Sequence, residues 1–220
     1  MKLNIKTVVS DLLMSNMYIV ESNGRYILID PCISDIDIDC SCIDFILLTH
    51  EHYDHISGVN YWKERSNATV LCSKNCAKNI TNPSKNLSKY FKQFCELQNW
   101  IGVSEEYFEK FPQGDLDFIC YADEVFEDSL EFLWNGLTIK LLEVPGHSLG
   151  SICILINDNI CFSGDSILKD FPTECGLPGG SKKKWLNQSL ELINGFSQSL
   201  LVYPGHLDCF AMSESEYWRR

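Results

Sequence analysis

The chain has no run approaching the ~18 apolar residues needed to cross a bilayer. Its first residues, Met1 to Lys6, alternate apolar with polar side chains where a secretory leader would be continuously apolar. Positive charge is also scarce: 18 lysines and arginines stand against 30 acidic residues, a net charge of −12. Affinity for a polyanionic backbone depends on phosphate neutralisation, so large nucleic acid is not an expected partner. The one basic run, Lys182-Lys183-Lys184, reads as the solvated first turn of a helix, or else as a source of one lysine for an anionic substrate group. No linker or low-complexity tract interrupts the chain. Eleven cysteines are present, but an odd number at scattered spacing makes no disulfide framework, and several lie in apolar strands where a thiol acts as a small hydrophobe. Cys40-x-Cys42 and Cys72-x3-Cys76 lack the paired partner motif of a metal site. The expectation is one cytoplasmic domain, 1–220, with no membrane contact.

Histidine is scarce as well, at five residues, yet none of the five is scattered. His50, His52 and His55 share the segment Thr49-His50-Glu51-His52-Tyr53-Asp54-His55, which follows the apolar run Phe45-Ile46-Leu47-Leu48. Such a run reads as a buried strand delivering the cluster to its carboxyl end. Side chains alternate along extended chain, so His50 and His52 can grip one ion while the next turn aims Asp54 and His55 at another. Glu51 and Tyr53, between them, face away.

Further ligand candidates sit at three later strand-to-loop junctions. Val144-Pro145-Gly146-His147 and Val202-Tyr203-Pro204-Gly205-His206 each set a histidine in a Pro-Gly turn, and Phe162-Ser163-Gly164-Asp165 does the same for an aspartate. Each could be incidental turn chemistry. Together with the first cluster they complete two coordination spheres.

In these motifs the chain resembles the metallo-β-lactamase fold superfamily, and among its members the glyoxalase II-like hydrolases. The likeness runs from Tyr26-Ile27-Leu28-Ile29-Asp30-Pro31 to Tyr203-Pro204-Gly205-His206. It implies that His50, His52 and His147 hold one metal, that Asp54, His55 and His206 hold a second, and that Asp165 bridges them. It also implies an α/β fold, a four-layer αββα sandwich with the site at the sheet edge.

Three departures sharpen the resemblance. Cys32 follows Asp30-Pro31 where relatives usually have glycine. Asp165 stands where common zinc β-lactamases offer a cysteine, which counts against β-lactam hydrolysis. His52 stands where flavin-dependent di-iron relatives usually have glutamate, which counts against a redox di-iron site.

Hydrophobic patterning places strands near Met17–Val20, Tyr26–Ile29, Phe45–Leu48, Thr69–Cys72, Leu137–Glu143, Ser151–Ile156, Ile160–Ser163 and Leu200–Val202. Helices are expected over Ile56–Arg65 and Trp185–Ile193. Residues 73–133 fit the alternation least and are rich in aromatics. They read as a helical insert packed on the body, or as a cap with Tyr90, Phe94, Trp100 and Tyr107 lining a pocket.

Two adjacent metals acidify a shared water and polarise a substrate oxygen, so no serine or cysteine nucleophile is needed. Asp54 and Asp165 would orient the bridging hydroxide, with Asp54 taking the proton. Imidazole and carboxylate ligands suit zinc, iron or manganese, and zinc is preferred. The leading expectation is hydrolysis of a small ester-like substrate, a thioester foremost. The chain reaches Arg220 soon after His206, without the helical domain by which glyoxalase II holds its glutathione thioester. Cleavage of a phosphodiester in a small nucleotide or RNA end is the alternative, and oxidation of a persulfide at a single iron is another. A non-catalytic metal scaffold is the remaining reading.

Overall fold

A computed structural model of the chain describes residues 3–93 and 116–215. Strands β1 (Leu3–Val9), β2 (Asn16–Ser22), β3 (Arg25–Ile29), β4 (Ile43–Leu47), β5 (Thr69–Ser73) and β6 (Glu124–Phe126) form one six-stranded sheet in that order. The first three run antiparallel and the rest parallel. The second sheet has the order β12-β11-β10-β9-β8-β7, from β7 (Ser129–Trp134), β8 (Leu137–Glu143), β9 (Ile152–Ile156), β10 (Ile160–Gly164), β11 (Leu201–Pro204) and β12 (Phe210–Ala211). Two tight hairpins turn on Asn-Gly pairs: Asn23-Gly24 and Asn135-Gly136 both carry positive φ, which asparagine and glycine accept most readily.

The side chains sort into three apolar layers. Val20, Ile27, Ile29 and Leu47 of the first sheet meet Ile139, Leu141, Ile154 and Phe162 of the second. The other face of the first sheet, with Leu28, Ile46 and Val70, packs on Ile56, Val59 and Trp62. These come from the short helices α1 (Tyr53–Ile56) and α2 (Val59–Arg65). The other face of the second sheet packs on Trp185 and Ile193 of α4, a helix that starts at Lys182–Lys184, passes through the π-helical turn Trp185–Ser189 and ends at Leu190–Asn194. The order is therefore helix, sheet, sheet, helix, as the resemblance implied. Because β4 is covered on both faces, Phe45-Ile46-Leu47-Leu48 is an unbroken apolar run instead of an alternating one.

Several elements differ from the sequence expectation. The single helix over Ile56–Arg65 is two helices broken at Ser57-Gly58, where a Cβ on Gly58 would lie 2.6 Å from the Pro31 carbonyl oxygen. β1 carries too little continuous apolarity to stand out, since its residues are half-buried or exposed. In the expected insert, 73–133, the start is the helix α3 (Lys74–Asn79), but β6 and most of β7 are sheet strands, so its far end belongs to the sandwich. Phe94, Trp100 and Tyr107 lie outside the described residues. Phe91 and Phe118 are core: both rings pack on Tyr53, with centroids 5.0 and 5.2 Å away. Lys182, Lys183 and Lys184 are exposed on the first turn of α4, capped by Ser181. No helix among the described residues is long and apolar enough to cross a membrane.

Candidate metal centre

All seven candidate ligands converge at one edge of the sandwich. The end of β4 supplies His50 and His52; α1, starting directly after His52, supplies Asp54 and His55. The β8–β9 loop brings His147, the end of β10 brings Asp165, and the end of β11 brings His206. Ring nitrogens of His50, His52 and His147 lie within 4.8 Å of one another, as do ligand atoms of Asp54, His55 and His206. Asp165 stands between the two groups. Its Oδ2 is 3.5 Å from Nε2 of both His147 and His206, and its Oδ1 is 3.5 Å from Nε2 of His55.

Apart from one another (His52 Nδ1 and His147 Nε2 lie 3.0 Å apart), the polar atoms of this cluster are short of partners. Nε2 of His50, His52 and His55 and Oδ1 of Asp165 are buried without a hydrogen bond. A buried polar atom left so costs ~1–3 kcal/mol, and four at one point would be a heavy penalty unless they served a ligand. The opposite ring nitrogens are held. His50 Nδ1 is 3.0 Å from the Thr49 hydroxyl, His55 Nδ1 is 3.2 Å from Asp30, and His147 Nδ1 is 2.9 Å from the Glu174 carbonyl. Imidazoles fixed from behind with the other nitrogen turned inward are what a metal site requires. The donor set therefore fits two divalent cations.

Electrostatics divide the two groups. Burial pushes His50 and His147 below the usual imidazole range and His52 to about 3, which keeps this trio neutral and free to ligate. Burial would also raise Asp54 and Asp165, but His55 and His206 hold both carboxyls well below their ordinary value. Conversely the two carboxylates outweigh burial at His55 and lift His206 to about 10. A divalent cation held there would meet two imidazoles already faced by the carboxylates of Asp54 and Asp165.

The support of these ligands was largely invisible in sequence. Asn16, at the start of β2, donates to the carbonyls of Pro204 and Leu207, and Tyr18 donates to Pro204, fixing the turn that carries His206. Ser15 donates to the Asp54 carbonyl at 2.8 Å. Asp30 had a visible signal, a carboxylate at a strand end before proline, but its partners are Thr49, just past β4, and His55 on α1. Tyr53 turns into the core and Glu51 turns away from the ligands, both as expected.

Comparison with known proteins agrees with this geometry. The family profile of the metallo-beta-lactamase superfamily matches residues 10–206. The chain belongs to that superfamily. It is 25% identical over 172 residues to a probable polyketide biosynthesis zinc-dependent hydrolase, BaeB, of Bacillus velezensis, a match covering 78% of this chain and 59% of that longer relative. A metal-dependent hydrolase of Staphylococcus aureus (strain JH9) is 24% identical, with 92% of this chain and 86% of that protein covered. Among solved structures, TTHA1623 in a di-iron-bound form superposes with a TM-score of 0.67 at 21% identity, over 94% of this chain and 95% of that one. The curated relatives bear the names of metal-dependent hydrolases, the enzyme class that the motifs imply for this chain.

Proposed function

We propose that this protein is a binuclear metal-dependent hydrolase acting on a small ester-like substrate, with a thioester the favoured class. The observation that carries this reading is the convergence of seven buried or half-buried ligand candidates, among which Nε2 of His50, His52 and His55 and Oδ1 of Asp165 have no hydrogen-bond partner. His50, His52 and His147 would hold one cation, Asp54, His55 and His206 the other, and Asp165 would touch both. When bound, the ions supply Lewis acidity toward a water molecule and toward the substrate's oxygen. The protein's own part is to orient and to move a proton. Asp54 Oδ2, 3.3 Å from His55 Nε2 and 3.4 Å from His206 Nε2, is placed to take the proton released when water attacks. Asp165 holds the two halves in register. Nothing in this chemistry needs a nucleophilic side chain.

Imidazole and carboxylate donors without thiolate accommodate zinc or iron. Zinc is our choice, supported by the name of the Bacillus relative; the di-iron form of the structural neighbour keeps iron as the competitor. The small-molecule substrate is supported by the net charge of −12, which disfavours long polyanions. A cytoplasmic setting is supported by Cys72, Cys76, Cys153 and Cys161, all buried free thiols. The test is metal analysis of protein purified without added metal, joined to a panel of thioesters, lactones, phosphodiesters and persulfides. Two equivalents of zinc with thioester or lactone turnover is the expected result. One equivalent of iron with oxygen uptake on persulfide would replace the reading.

A further inference from the structure

Glu51 lies between two candidate ligands, points out of their cluster, and is still only 1% exposed. A carboxylate is costly to bury unless its lone pairs are taken, and here they are. Oε1 accepts from the Asn79 amide at 2.7 Å, and Oε2 accepts from the Ser148 hydroxyl at 2.6 Å. Ser148 follows His147 directly. Its hydroxyl also receives the Gly150 N–H at 3.2 Å, and its own N–H donates to Ser151 Oγ at 3.1 Å. The loop is pulled in so closely that a Cβ on Gly150 would strike Glu51 Oε2 and come within 2.6 Å of the Cys76 nitrogen. One side chain thus joins the His50–His52 segment to the His147 loop, 97 positions away. The Glu174 carbonyl fixes the rotation of the His147 ring. The far end of the loop is tied to the first sheet by the Ile152 N–H on the Thr49 carbonyl and the Ser73 hydroxyl on the Gly150 carbonyl, both at 2.8 Å. The Glu51–Ser148 bond is the tie made next to His147 itself.

We propose that Glu51 is a positioning residue, a hydrogen-bonded strut that, through the bond to Ser148 beside His147, holds that imidazole at its spacing from His50 and His52 and so preorganises the three-imidazole site for its cation. The proposal rests on reading that trio as a metal site.

The test uses the full chain, Zn²⁺ and a chromogenic chelator as competitor, with unfolding temperature measured in parallel. Glu51→Ala and the milder Ser148→Ala should each weaken zinc binding by ~10–100-fold, the usual loss when a group holding a ligand is removed. Glu51→Gln should restore affinity to near that of the unsubstituted chain. Its amide oxygen can accept from Ser148, and its NH₂ can donate to Asn79 once that amide turns over. Val20→Ala, a core change in β2, should lower the unfolding temperature and leave zinc affinity alone. Zinc binding by Ser148→Ala as tight as that of the unsubstituted chain would overturn the strut, as would a Gln variant as weak as the Ala variant. Failure of the unsubstituted chain to take up zinc is a separate result, and it would remove the metal reading along with the strut.

Discussion

The Asp30 carboxylate lies 3.2 Å from Nδ1 of His55 and also takes the Thr49 N–H at 2.7 Å and the Thr49 hydroxyl at 2.5 Å. With its proton committed to Asp30, the Thr49 hydroxyl is left to accept from Nδ1 of His50, 3.0 Å away. One carboxylate therefore sets the inward nitrogen of two imidazoles, one in each ligand group. Asp30 is held at a φ of +50°, a backbone conformation that asparagine shares with little strain.

Asp30→Asn is accordingly expected to fold normally and to lose metal affinity by ~10–100-fold, because one of the acceptors that fix the imidazoles becomes a donor. Chelator competition measures it. Unchanged affinity would show that Asp30 serves only its own turn.

The ligand set was legible because histidine is rare in this chain and each copy lies where an apolar run ends. The strand that delivers His50 could be read for the same reason, being covered on both faces. What sequence did not disclose were partners distant along the chain: Glu51 with Ser148, Asn16 with Leu207, Asp30 with His55. Glu51, Ser148 and Asn16 taken alone resemble ordinary surface residues, and only packing shows them buried. β6 and most of β7 fall in the aromatic 73–133 segment, whose helical spacing is legible only near Tyr90; β7, Ser129–Trp134, in fact alternates exposed and half-buried residues as a strand does, and both pair in the sheets, with β5 and β8.

Asp54→Ala should lower turnover by orders of magnitude, since it removes a candidate ligand and the group placed to take the proton. Metal content distinguishes the routes. Near-normal hydrolysis with a single bound ion would sink the binuclear mechanism.

Gly205→Ala probes the second group without touching a ligand. A Cβ there would run into Asp165 Oδ1 and lie 2.8 Å from Cε1 of His55, inside any allowed contact. The expected outcome is a fall from two metal equivalents toward one, with the unfolding temperature of the metal-free protein little changed. Metal analysis and thermal unfolding check both halves. Two equivalents retained would mean that Asp165 and His55 can yield without losing the ion.

The aromatics of the 73–133 segment should divide by burial. Phe118 is 7% exposed and packs on Tyr53, next to Asp54, whereas Tyr90 is 40% exposed. Removing a buried phenylalanine ring costs ~3–5 kcal/mol, so Phe118→Ala should be strongly destabilising. Phe91, on the same tyrosine, keeps α1 in place, so metal content and the ranking of substrates should hold. Tyr90→Ala should do the opposite, sparing stability and shifting relative kcat/KM among substrates if this segment borders the pocket. Denaturant unfolding and the substrate panel separate the two. A Tyr90→Ala protein with unchanged selectivity would take that ring out of the pocket and leave specificity to the loops that carry His147 and His206.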